Sequence, residues 1–188
     1  MRRILLMTSV LALLLVSGSA SVHGATSTGT FQWEAGAGVV CGVEETACPD
    51  VAMASNGDTV TIRAQGNMNA GTGSASGGGS FEHRNAAGTL LGSGTLTATR
   101  LIAFQFWGCD GFGLPSNLCG GRAELAVHIV GHPASDPSAT IELDGILTVN
   151  CLLGSPPSGF DEGIRLNVKD LINFNKSVSG DTVFIATS

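Results

Sequence analysis

Tyrosine is absent from the 188 residues, tryptophan occurs twice, and lysine and arginine together number nine. Each shortage removes a class of function. Nucleic-acid binding needs a basic footprint that displaces phosphate counterions. The few cations here are scattered through a chain of formal charge −6, so no nucleic acid partner is expected. Anionic membrane surfaces are disfavoured for the same reason. Scarce Trp and missing Tyr also weaken any reading as an aromatic sugar-binding platform. Enzyme fingerprints are lacking too: there is no G-x-S-x-G elbow, and the glycine-rich stretches lack both the G-x-G-x-x-G spacing and a following helix. No EF-hand pattern occurs. No cofactor is expected. Glu44-Glu45 and Asp161-Glu162 are adjacent carboxylates in loop-like contexts and read as solvated turns.

The N-terminus is where apolar residues run together. Arg2 and Arg3 precede an apolar stretch from Ile4 to Val16, and small residues follow at Gly18, Ala20 and Gly24. This is the tripartite pattern of a secretory signal. A transmembrane helix needs about 20 apolar residues, more than this run supplies. The expectation is a signal peptide over 1–24, a single domain over 25–188, no membrane span in the mature chain, and a secreted or periplasmic location. No cysteine lies near the cleavage region, which disfavours a lipid anchor. The leader carries two of the nine basic residues and no acidic one, so seven bases against fifteen acids give the mature chain a charge of −8.

Export places the five cysteines where disulfides persist. The close pairs Cys41/Cys48 and Cys109/Cys119 are the candidate bridges, leaving Cys151 as a candidate free, buried thiol. Sequence alone does not fix the connectivity. Zinc would want C-x₂₋₄-C elements, and no pair is spaced that closely.

Beyond the leader, long runs at helical spacing are missing and alternating segments recur. Val60, Ile62 and Ala64 share one face. Thr95 to Trp107 places Leu96, Ala98, Ile102, Phe104 and Phe106 together, interrupted by Arg100. Leu125, Val127 and Ile129 alternate within Arg122 to Val130, and His132 to Ala139 reads as a loop. Thr140 to Leu143 and Ile146 to Leu152 flank Asp144-Gly145, a two-residue hairpin signal. Ile164 to Phe174 alternates as one long segment, whereas Gly71 to Gly79 reads as a flexible low-complexity loop. Eight to ten strands at this spacing predict an all-β, antiparallel, barrel-like domain, with a β-sandwich as the alternative.

Two charges, Arg100 and Asp170, interrupt apolar faces. They form a buried ion pair if the two strands are neighbours, or turn outward at bulges if they are not. Trp107 and Phe112, on a loop closed by Cys109 and Cys119, are candidate binding aromatics or caps of the core. His128 and His132 have H-x₃-H spacing without an evident third ligand, which does not make a metal site. His83 and His128 remain weak candidates for a binding or catalytic site.

The stretches Phe81-Glu82-His83-Arg84, Gly92 to Arg100, Phe104-Gln105-Phe106, Leu147 to Gly154 and Asn173 to Gly180 resemble an uncharacterised group of exported bacterial proteins. That resemblance implies export and no particular activity. Two functions follow from the whole reading. One is a non-enzymatic extracellular binding or structural module of unknown partner. The other is a small secreted hydrolase or isomerase with its site in a barrel mouth. The first leads, since no nucleophile, metal or acid/base constellation emerges. A deep pocket with His83 or His128 hydrogen-bonded to a carboxylate reverses that order, and a solid, side-chain-filled barrel all but ends the enzyme reading.

Overall fold

Alternation of buried and exposed side chains is the organising feature of the computed structural model, which describes residues 28–109 and 113–187. The leader segment and Phe112 lie outside the described residues. Eleven strands occur among them: β1 (Thr30–Ala35), β2 (Asp50–Met53), β3 (Thr59–Asn69), β4 (Ser74–Arg84), β5 (Leu90–Gly108), β6 (Leu118–Pro133), β7 (Ile141–Cys151), β8 (Gly163–Val168), β9 (Ile172–Phe174), β10 (Lys176–Ser179) and β11 (Thr182–Ala186). A helical turn, α1 (Val40–Val43), lies between β1 and β2.

All pairings are antiparallel. They close a ring in which β3, β1, β11, β6, β5 and β4 return to β3. The sheet continues past this ring through β2 and β10 on one side, and through β7, β8 and β9 on the other. β8 then lies beside β2 and β10. The all-β, barrel-like expectation therefore holds, with more strands than expected. The inner face carries Trp33, Ile62, Leu96, Leu125, Leu147, Ile164, Phe174 and Phe184, all essentially sealed from solvent.

Four local expectations are corrected. Ser74–Gly79 forms the first half of β4 rather than a loop. Its glycines permit close backbone approach: a Cβ on Gly79 would press on the Arg63 carbonyl and come within 2.6 Å of the Ala64 Cα. Asp144-Gly145 lies inside the continuous strand β7 and makes no hairpin. Gly145 is needed there because a Cβ would sit 2.7 Å from the Asn167 carbonyl oxygen and 3.2 Å from Ile129 Cδ1. Ile164–Phe174 divides into β8 and β9, with Asp170 in the turn at φ 58°. β6 also runs further than expected, through His132 to Pro133.

The buried Arg100–Asp170 pair is overturned, since both residues are exposed. β5 shifts register against β6 between Ala98 and Arg100, and again between Leu101 and Ala103. Each bulge inserts one residue and flips the phase. The inward series thus runs Leu96, Ala98, Leu101, Phe104, leaving Arg100 and Ile102 outside. Two insertions restore the original parity, which is why the alternation looks unbroken from either end. Asp170 escapes burial because the turn swings it outward.

Both expected disulfides are present, Cys41–Cys48 and Cys109–Cys119, with Cα separations of 5.4 and 3.8 Å. Cys151 is the free, buried thiol, and burial pushes its pKa up to about 12. A thiol held so far from its thiolate is a poor nucleophile. No helix among the described residues is long and apolar enough to cross a membrane. Disulfides and this absence are compatible with a secreted or periplasmic protein.

Candidate functional site

A cavity of about 190 Å³ enters between the β4–β5 hairpin, the end of β6 and the β8–β9 turn. Carbon dominates its wall, with Phe81, Ile129, Leu143, Leu166 and Phe174 among the lining residues. The apolar surface continues outward onto Leu91, Ile141 and Leu171, which are 40%, 46% and 67% exposed and also line the opening. Apart from Leu171, which lies in the turn between β8 and β9, these residues sit on strands. Ile62 opposes Phe81 and Ile129 opposes Leu143, so an inward partner on one strand sets an inward partner on the next.

His83 is the polar exception. It opposes buried Val60 on β3 and therefore points inward, and its ring meets the edge of Phe174 at 5.3 Å between centroids. Its Nε2 lies 3.2 Å from the Asp58 carboxylate, and both side chains are largely sheltered. Asp58 sits just before β3, after the Asn56-Gly57 turn, and the pairing of β3 with β4 brings it beside His83. Ser93 and His132 also contribute to the lining. They oppose each other across β5 and β6, and Ser93 opposes Glu82, the outward neighbour of His83. Their side chains therefore belong to the outer face. Among the described residues, His83 is the inward-facing polar side chain of this cavity.

His128 does not reach the cavity. It lies on the outer face, with Nδ1 3.3 Å from Asp144 and Nε2 3.7 Å from Glu142, in an exposed polar cluster. His128 and His132 share a strand face, but four strand residues separate them by ~13 Å, too far to share one metal. No group of three His, Cys, Asp or Glu among the described residues is placed to hold a metal ion. Trp107 is buried at the opposite end of β5 and packs against Phe160 at 5.1 Å between ring centroids.

A second polar cluster lies inside the sheet near the Cys41–Cys48 bridge. Asp50 on β2 is fully buried, and neither of its carboxyl oxygens has a hydrogen-bond partner among the described residues. Burial, then the Glu162 and Asp181 carboxylates, push its pKa up to about 9. Glu162 is raised by burial as well, although it accepts hydrogen bonds from Leu152 N at 2.6 Å, Thr182 N at 3.0 Å and Thr182 Oγ1 at 2.9 Å. At neutral pH Asp50 is therefore a protonated acid.

Sequence reading singled out His83 without its partner, because Asp58 and His83 are 25 residues apart and meet only through strand pairing. Compared with known proteins, the chain matches no family model, no curated protein and no solved structure.

Proposed function

We propose that this is an exported binding module whose open cavity takes a small, largely apolar molecule. The observation carrying this reading is the apolar lining of the cavity, which continues onto exposed rim leucines and isoleucine. Ligand sites are typically concave and mostly apolar, with few polar groups fixing orientation. A lining of this kind gains by releasing water to an apolar guest, at roughly 25 cal/mol per Å² of apolar surface buried. Exposed apolar side chains concentrated around one opening also mark it as an interaction surface.

The test is thermal-shift screening of the mature protein against a panel of small apolar compounds, since a ligand bound only by the native state raises apparent stability. Binders are expected to raise the melting temperature of the wild type. They should have no effect on Leu143→Trp, whose indole fills the cavity from the position opposite Ile129. Equal responses of the two proteins place binding elsewhere and contradict the proposal.

The Asp58–His83 pair supports a second reading, that of a small hydrolase or isomerase. A carboxylate that orients an imidazole is half of a general-base arrangement. Hydrolysis by a serine dyad would further require a hydroxyl beside His83, and the lining hydroxyl, Ser93, belongs to the opposite sheet face. The Asp58–His83 pair in a cavity meets the condition that raises the enzyme reading. Acid–base chemistry, however, also needs a second group to supply a proton or a nucleophile at the reacting centre. His83 is the inward-facing polar side chain of the lining among the described residues, and binding leads on that ground. Export rests on the leader pattern and the two bridges. Mass spectrometry of the secreted chain should show a start at Ser21 or Ala25, two disulfides and one free thiol. A retained leader or five free thiols would contradict it.

A further inference from the structure

From the Asp58–His83 pair we infer what kind of ligand the cavity selects: an apolar molecule carrying a hydroxyl or other hydrogen-bond donor, in preference to its ether, ketone or carboxylate counterpart. The inference rests on the cavity being the binding site.

A neutral imidazole has one donor nitrogen and one acceptor nitrogen, and the neighbour of one fixes the role of the other. An ionised Asp58 can only accept, so the 3.2 Å contact requires Nε2 to carry the proton and donate it to the carboxylate. Nδ1 is then a bare lone pair. It has no hydrogen bond among the described residues, and it is not among the side-chain atoms sealed from solvent without a partner. It is accordingly accessible, and because His83 lines the cavity we place this lone pair on the guest's side. Since His83 is the inward-facing polar side chain of the lining, this acceptor sets the polar selectivity of an otherwise hydrocarbon wall.

A hydroxyl donor satisfies Nδ1. An ether or ketone presents a lone pair to a lone pair, and a carboxylate adds negative charge beside Asp58. The preference runs against partitioning, because an ether is more apolar than the phenol or alcohol from which it derives. Hydrophobic capture alone would therefore rank the two in the opposite order.

The experiment compares 4-ethylphenol with 4-ethylanisole at pH 8. Affinities are read by calorimetry on wild type, His83→Phe and Asp58→Asn. The phenol is expected to bind wild type about tenfold more tightly, the worth of one net hydrogen bond. Phenylalanine at 83 removes the acceptor. Asparagine at 58 can donate or accept, so it no longer imposes the tautomer. In both variants the preference should fall below about threefold while anisole affinity changes little. Equal binding of the two probes by wild type overturns the inference and leaves the cavity reading intact. A preference that survives in both variants overturns the role of His83. Binding of the anisole alone overturns the inference and leaves the cavity reading intact, whereas failure of both probes to bind wild type overturns the two together.

Discussion

The substitution Asp50→Asn is expected to raise the melting temperature at pH 8 by roughly 10 °C and to flatten its dependence on pH. In the folded protein Asp50 holds its proton up to about pH 9, against an ordinary value of 3.8. The folded state thus binds more protons than the unfolded chain between these limits, and stability falls as pH rises through that window. Any stabilisation relative to the ionised unfolded group is complete below about pH 4 and lost toward pH 9. At pH 8 the accumulated cost is on the order of 5 kcal/mol. Asparagine is isosteric and neutral at every pH, so it escapes that cost, less whatever its own amide loses by burial. Glu162, also raised by burial, adds a residual slope of the same sign. Melting curves from pH 5 to pH 9 check this. A wild type whose stability is constant over that range, or a variant less stable than wild type at pH 8, would contradict the account of Asp50.

The second large effect concerns a glycine. Gly79→Ala is expected to destabilise the protein by roughly 3 kcal/mol, at the upper end of the cost of overpacking. In β4 the added methyl presses on the Arg63 carbonyl and the Ala64 Cα, both backbone atoms that cannot rotate away. The sign is what makes the measurement informative. In a flexible loop the same change would be neutral or mildly stabilising, because alanine has less freedom to lose on folding. Denaturant unfolding of the variant distinguishes a strand from a linker, and a stability unchanged within 0.5 kcal/mol, a typical surface-substitution range, would contradict the strand.

Much of the fold was legible in the sequence where side chains follow strict alternation. Val60, Ile62 and Ala64 announce β3, and Leu125, Val127 and Ile129 announce β6; all six are buried. The two bridges were legible because short loops keep paired cysteines close. Reading fails where tertiary packing outweighs local chemistry. Ser74–Gly79 has the composition of a linker, yet its glycines let three strands approach closely. Asp144-Gly145 has the composition of a turn, but neighbouring strands on both sides hold it extended. β2 went unread because its inward face carries Asp50, a polar residue in a core position. The bulges in β5 are invisible to a parity test because two of them cancel.

The cavity is legible only in part for a similar reason. Its wall draws on β3, β4, β5, β6, β7, β8 and β9, and no local pattern reports that their inward residues converge on one cavity. His83 stood out as a histidine on a strand. That it faces inward depends on pairing with Val60, and that it is held by Asp58 depends on a turn 25 residues earlier. The selectivity argued for the cavity arises from this non-local contact, whereas its apolar character arises from the same alternation that builds the core.

The most direct test of the cavity as a binding site is chemical-shift mapping of the isotope-labelled mature protein during titration with 4-ethylphenol. The account predicts saturable shifts confined to the cavity wall, at Phe81, His83, Ile129, Leu143 and Phe174. Shifts centred on Trp107 and Phe160 at the far end, or no saturable shifts at all, would contradict it.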